Sequence, residues 1–126
     1  MGLKLLRGYV KERYGHEVTE VPNGFAVWGD TQYDGKEVLY VQDFYVSPDN
    51  RGLNHSGSRQ LFNKLKDIVR HNKWDGITGF VQLDAFNGND MLRLFLYLGF
   101  QAVKGNDTSI LLYYKVKDGN KNRQPE

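Results

Sequence analysis

Asp43 is the one carboxylate in an otherwise largely apolar and aromatic run, VLYVQDFYV at 38–46. A charge set among such neighbours is costly unless it is paired or opens onto water. A carboxylate lining a cleft can accept a proton from a reacting group if its pKa suits the task. It can also be structural, bonded to main chain or to an arginine, and the run by itself leaves both roles open. A second stretch with chemical potential follows at once: Pro48-Asp49-Asn50-Arg51-Gly52-Leu53-Asn54-His55-Ser56-Gly57 is polar, bears glycine and leads into residues with helical spacing. The first N–H groups of a helix lack intrahelical partners, and together with the helix dipole they suit a phosphate-like anion. Arg51 and Arg59 flank this loop and could add charge-assisted bonds to phosphate oxygens, or remain surface charges. His55 lies within it, as a phosphate contact or an exposed side chain.

Several chemistries are excluded. The chain has no cysteine, which removes disulfides, thiol nucleophiles and thiolate metal sites. His16, His55 and His71 are scattered without an acidic cluster, so no metal site is expected. The loop is not a Walker A motif, since no Gly-Lys-Ser/Thr follows, and its glycine spacing does not fit a dinucleotide fingerprint. A net charge of +2, with no dense basic stripe and no paired stacking motif, argues against a nucleic-acid partner. The lysines at Lys115, Lys117 and Lys121, with Arg123, read as a solubilising end. Charges interrupt the apolar residues of MGLKLLRGYVKERYG, so neither a leader nor a membrane span is expected there. Leu6 occupies the position where a myristoylation signal needs Ser or Thr. A cytoplasmic location is the expectation.

Elements must position these groups. With 126 residues, 40% hydrophobic and 25% charged, the chain reads as one domain over 1–117 and a tail at 118–126 that lacks apolar residues. Leu3, Leu6, Val10 and Tyr14 recur at helical spacing and stop at Gly15. A short strand at 17–21, a Pro22-Asn23-Gly24 turn and a strand at 25–33 follow, then a hairpin turn at Asp34-Gly35. The run 38–46 predicts a central strand, with Val38, Tyr40, Phe44 and Val46 on one face, Leu39, Val41 and Tyr45 on the other, and both faces buried. Pro48 ends it. Leu61, Phe62, Leu65, Ile68 and Val69 make an apolar stripe over a helix at 58–70. A strand at 77–83, a helix at 91–98 that is apolar almost all round and capped by Gly99, and a hairpin of strands at 100–103 and 109–116 complete the order. Strand–helix–strand–helix in the middle predicts an α/β (α+β) domain, a mixed, mostly antiparallel twisted sheet with helices on both faces.

At two places the sequence resembles the GNAT N-acetyltransferases. That family carries Val-x-Pro-x-x-Arg-Gly-x-Gly-x-Gly/Ala after its fourth strand; here the residues are Val46-Ser47-Pro48-Asp49-Asn50-Arg51-Gly52-Leu53-Asn54-His55-Ser56. It also carries a looser Asn-x-x-Ala-x-x-x-Tyr-x-x-x-Gly-Phe; here Asn89 opens a segment that ends Phe95-Leu96-Tyr97-Leu98-Gly99-Phe100. The resemblance covers 38 to about 116 and implies the GNAT-like acyl-CoA N-acyltransferase fold. It also implies direct transfer of an acetyl group from acetyl-CoA, without metal, to a primary amine on a small molecule or protein. By the resemblance, backbone around Asn54, His55, Ser56, Gly57 and Ser58, with Arg51 and Gly52, holds the CoA pyrophosphate. The main chain of Phe44, Tyr45 and Val46 pairs with the pantetheine arm, and Asn89 lies beside the cofactor. Asp43, or water near it, takes the amine proton.

Three departures bear on that reading. Asn54 and Ser56 replace small residues of the loop motif, which implies weaker CoA binding than is typical. Phe95 stands where the family most often has the tyrosine that protonates the leaving thiolate, so Tyr97, two residues on and pointing to another side of the helix, or solvent would have to supply that proton. The alternative to an active enzyme is a catalytically weak or inactive GNAT-like binding protein. A homodimer contacting through the hairpin at 100–116 is also expected, because a small sheet leaves edges to cover.

Overall fold

A computed structural model of the protein describes residues 2–48, 56–84 and 88–116. The element order is α1 (Gly2–Tyr14), β1 (Glu17–Val21), β2 (Gly24–Tyr33), β3 (Lys36–Val46), α2 (Ser56–Asn72), β4 (Gly76–Gln82), α3 (Gly88–Leu98), β5 (Gln101–Gly105) and β6 (Ser109–Lys115). The tail at 118–126 lies outside the described residues. No described helix is long and apolar enough to cross a membrane.

The strands form one six-stranded sheet in the order β1-β2-β3-β4-β6-β5. Only β3 and β4 pair in parallel; the other neighbours are antiparallel. The hairpins follow from turn chemistry. Asp34 (φ 53°) and Gly35 (φ 78°) both adopt positive φ, the pair of conformations that a two-residue turn needs to match strand twist. Residue 35 is glycine because a side chain there would be strained.

The sheet separates two apolar clusters. On one face Leu61, Phe62, Leu65 and Val69 of α2 pack with Ala26, Leu39, Val46, Ile77, Val81 and Leu112, and Phe95 of α3 joins them. Leu61, Leu65 and Val69 are fully buried; truncating Leu65 to Ala would cost about 2–5 kcal/mol. On the other face α1 sets Val10 and Leu6 over Val18, Val27 and Phe25, and so covers only the β1–β2 end. β5 is an outer strand, exposed at every position, and its register shifts between Ala102 and Lys104; such an irregularity interrupts an edge.

Three expectations need correction. The register between β2 and β3 slips: Val27 pairs with Asp43, but Trp28 pairs with Val41. The extra residue, Gln42, makes a β-bulge and reverses the alternation beyond it. Phe44 and Val46 therefore share the α2-side core with Leu39 and Val41 instead of lying on the opposite face. Burial on both faces also holds only at Val38 and Leu39; Gln42, Asp43 and Tyr45 are exposed. Helix α3 is likewise one-sided. Phe95 is buried, while Leu96 and Tyr97 are about half exposed, at 47% and 49%.

Candidate active site

The parallel pairing of β3 with β4 runs through Val38↔Gly76, Leu39↔Ile77 and Tyr40↔Thr78 and ends there. Both strands continue, β3 to Val46 and β4 to Gln82. Each keeps its other neighbour. β2 pairs with β3 as far as Val46, and β6 pairs with β4 from Gly76 to Gln82. Held apart by these outer partners, the strands splay, and the bulge at Gln42 falls where they part.

The splay opens a cleft of about 180 Å³. Val41, Gln42, Asp43 and Phe44 form one wall, and Gly79, Phe80, Val81 and Gln82 form the other. Met91, Phe95, Phe100 and Leu112 also line it. The part that these last four line is apolar, because they belong to or pack on the core that α2 and α3 cover, while Gln42, Asp43, Thr78 and Gln82 make the rest of the lining polar. Gly88, the first residue of α3, lines the cleft as well. A side chain there would begin 2.2 Å from the Gln82 carbonyl oxygen, so the close approach of α3 to the end of β4 requires glycine.

Among the described residues, Asp43 is the one ionisable side chain lining this cleft, and it takes part in no ion pair with another described residue. The residue is open to solvent as a whole, but the cleft walls take part of the water from its carboxyl and push it above the ordinary aspartate value, since removing a carboxylate from water disfavours the charged form. That combination, a carboxylate in a cleft with a raised pKa, suits a proton acceptor.

The other candidates fall in three groups. Phe44, Tyr45 and Val46 form the end of β3 beside Asp43; Tyr45 turns to the face opposite the core and packs on Phe25 with ring centroids 5.6 Å apart. Ser56, Gly57 and Ser58 are the first three residues of α2, and Gly57 and Ser58 are buried. The first turn carries no acidic side chain, so nothing within that turn counters the positive end of the helix, which fits an anionic group. Arg51, Gly52, Asn54 and His55 lie outside the described residues, as does the side chain of Asn89, whose backbone is in the first turn of α3.

Tyr97 is not brought to Asp43. Arg59 Nη2 donates to its hydroxyl, and the guanidinium lies 5.5 Å from the ring centroid. The pair sits on the outer surface between α2 and α3, beside Asn63 and Lys66. Phe95, by contrast, lines the cleft, 5.3 Å from Phe44 and 5.1 Å from Phe100. The GNAT resemblance implies that the strand at 77–83 splays to open the cleft, but sequence reasoning singled out neither Phe80 and Gln82 on that strand nor Gln42 on the other wall. The signal for Phe80 was present: it stands one step out of phase with Ile77 and Val81, so a large aromatic occupies the non-core side of β4.

No family model matches the sequence, and no curated protein matches it by sequence. Solved structures do match the fold. A Desulfovibrio desulfuricans protein assigned to the GNAT acetyltransferase family superposes with a TM-score of 0.66 at 21% identity, over 90% of this chain and 78% of that one. A structure of the NatC complex bound to Gag peptide and CoA gives 0.63 at 15% identity, over 90% and 79%. The ribosomal-protein-S18-alanine N-acetyltransferase of Escherichia coli gives 0.58 at 14% identity, over 93% and 80%.

Proposed function

We propose that this chain, which has the GNAT N-acetyltransferase fold, transfers an acetyl group from acetyl-CoA to a primary amine. The observation that carries the reading is the parting of β3 and β4 after Tyr40 and Thr78, with Asp43 as the ionisable group on the wall of the resulting cleft. Acetyl-CoA, as acyl donor, would lie along the end of β3, its pyrophosphate against the N-terminus of α2 at Ser56, Gly57 and Ser58. Two small buried residues at that helix start, and no acid in the first turn, fit a bulky dianion.

In the transfer, the amine nitrogen bonds to the thioester carbonyl carbon, the C–S bond breaks, and CoA leaves as thiolate. A neutral amine loses one proton and the thiolate gains one; an acceptor that arrives as ammonium first gives a further proton to water. Asp43, ionised, accepts the amine proton directly or through water. Water entering the open cleft supplies the proton to sulfur, because Phe95 has no hydroxyl and Tyr97 lies on the outer surface with Arg59.

Calorimetric titration with acetyl-CoA tests the reading, run on the wild type and on Ser56→Trp, which places a large ring at the helix start. Binding in the wild type, its loss in a folded Ser56→Trp chain, and CoA release with an amine present are the expected results. Binding without turnover over a broad amine panel would favour a non-catalytic acyl-CoA-binding protein, a reading that Phe95 supports. Absence of binding at millimolar acetyl-CoA would defeat both.

A further inference from the structure

We infer that the acceptor is a singly charged amine with an apolar or aromatic group next to the ammonium and no carboxylate beside it, and that Phe80 selects it. This rests on the acetyltransfer reading above. Ile77 and Val81 of β4 point into the α2-side core, so alternation sends Phe80 to the opposite face, where it is 56% exposed. The bulge at Gln42 brings Asp43 and Tyr45 to the same face, since they pair with Val27 and Phe25, whose side chains join the α1-side cluster. Among the described residues, helix α1 packs on that face at Val18, Val27 and Phe25, at the β1–β2 end. The cleft therefore offers the Asp43 carboxylate on one wall and Phe80 on the other, while Phe25 and Tyr45 lie farther along the Asp43 face at a separate hollow beside Lys64.

Charge complementarity sets the occupant. An ammonium is attracted by Asp43 and by aromatic faces, and an apolar group beside it would remove exposed Phe80 surface from water. A carboxylate next to the amine would stand near Asp43, and no cation among the described cleft residues would offset it. A strongly hydrated polycation could meet Asp43 but would leave Phe80 uncovered. One apolar group is worth roughly 10–200-fold in discrimination. The same chemistry is found in a free arylalkylamine and in the N-terminus of a peptide that begins with an aromatic residue.

The test is CoA release from acetyl-CoA with four amines at matched concentrations: phenethylamine, Phe-Gly-Gly amide, phenylalanine and spermidine. The expected result is kcat/KM at least tenfold higher for phenethylamine or the peptide amide than for phenylalanine or spermidine. Whichever of the first two is better identifies the source, and either result supports the inference. In Phe80→Ala the preference should shrink to less than threefold, mainly through KM; Phe80 is exposed, so the variant should fold. Equal or better use of phenylalanine or spermidine, or a preference unmoved by Phe80→Ala, would overturn it. Should acetyl-CoA bind while no amine is acetylated, the acetyltransfer reading fails on its own. The acceptor inference is then decided by amide shifts in the CoA-bound protein: perturbation at 41–45 and 79–82 by phenethylamine but not by phenylalanine supports it, and any other pattern overturns it.

Discussion

The Tyr113 hydroxyl donates to Asp75 Oδ2 at the end of the sheet where β3 and β4 are still paired. Lys115 Nζ lies 2.9 Å from the other carboxylate oxygen, and the Tyr113 ring stacks on Tyr33 at 4.8 Å. The Asp75 main chain completes the junction: its N–H donates to the Glu37 carbonyl, and its carbonyl accepts from Val116 N–H. One residue thus ties β3, β4 and β6 together at the closed end, opposite the splay that forms the cleft.

The first prediction concerns this junction. Burial alone would raise the Asp75 carboxyl, but the bonds from Tyr113 and Lys115 and the charges of Lys115 and Lys36 outweigh it and hold the group below its ordinary value. Burial, followed by the Asp75 hydrogen bond, pushes the Tyr113 hydroxyl far above its own. A carboxyl depressed in the folded state contributes stability above the unfolded-state value of about 3.9 and loses it as pH falls toward the folded-state value. Tyr113→Phe should cost about 1.5–3 kcal/mol at pH 7. Urea denaturation across pH should show that gap narrowing below about pH 4; a gap that is constant down to pH 2.5 would refute the linkage.

Much of this architecture could be read from residue pattern, because the relevant signals are local. The stripe at Leu61, Leu65 and Val69 marked α2, Pro22-Asn23 and Asp34-Gly35 marked the two turns, and Gly99 (φ 110°) marked the end of α3. What escaped depends on partners distant in sequence. The bulge at Gln42 exists only relative to β2, and nothing in VLYVQDFYV records the slip. The insertion of β6 between β4 and β5 is a long-range choice of the same kind. Asp43 stood out as a charge among apolar neighbours, but its place on the cleft wall needed the bulge. The Arg59–Tyr97 contact joins α2 to α3 across 38 residues, and no local pattern records it.

A second prediction follows from the raised pKa of Asp43. As proton acceptor the residue must be ionised, so kcat/KM should rise with pH through an acid limb whose apparent pKa lies above about 3.9. Asp43→Asn should lower kcat/KM by roughly 10²–10⁴-fold and lose that limb. The check is a pH–rate profile for both proteins against one amine. A variant with the wild-type profile would remove Asp43 from the chemistry.

Gly88 supports a third. A methyl at this position would meet the Gln82 carbonyl oxygen at 2.2 Å and the Leu83 carbonyl oxygen at 3.0 Å. Both are backbone atoms, which cannot swing aside, so α3 must shift away from the end of β4. Gly88→Ala should destabilise the fold by about 1–3 kcal/mol and, by moving the cleft lining, raise KM for acetyl-CoA. Thermal unfolding together with initial rates would show both effects; a wild-type melting temperature would contradict the steric argument.

The last prediction turns on Phe95. Its ring lines the cleft between Phe44 and Phe100 and is only 8% exposed. A hydroxyl added there has two fates with different signatures. Directed into the cleft, it reaches water and, under the proposed transfer, could supply the proton that solvent would otherwise give to the leaving sulfur. Directed into the core, it is a buried donor without a partner, which costs about 1–3 kcal/mol. Because Phe95 is a lining residue, Phe95→Tyr should take the first course. Its kcat should rise by about tenfold, below the roughly 10²-fold floor for a well-placed acid or base, since in the proposed transfer solvent would already protonate the thiolate. Stability should stay within about 0.5 kcal/mol of the wild type, as for a substitution that leaves no polar group unpaired. Stopped-time assays of acetyl transfer, paired with urea denaturation of the same samples, separate the two fates. A loss of stability with unchanged kcat would show that the position 95 ring presents its edge to the core, and that proton delivery to sulfur has no protein donor at this site.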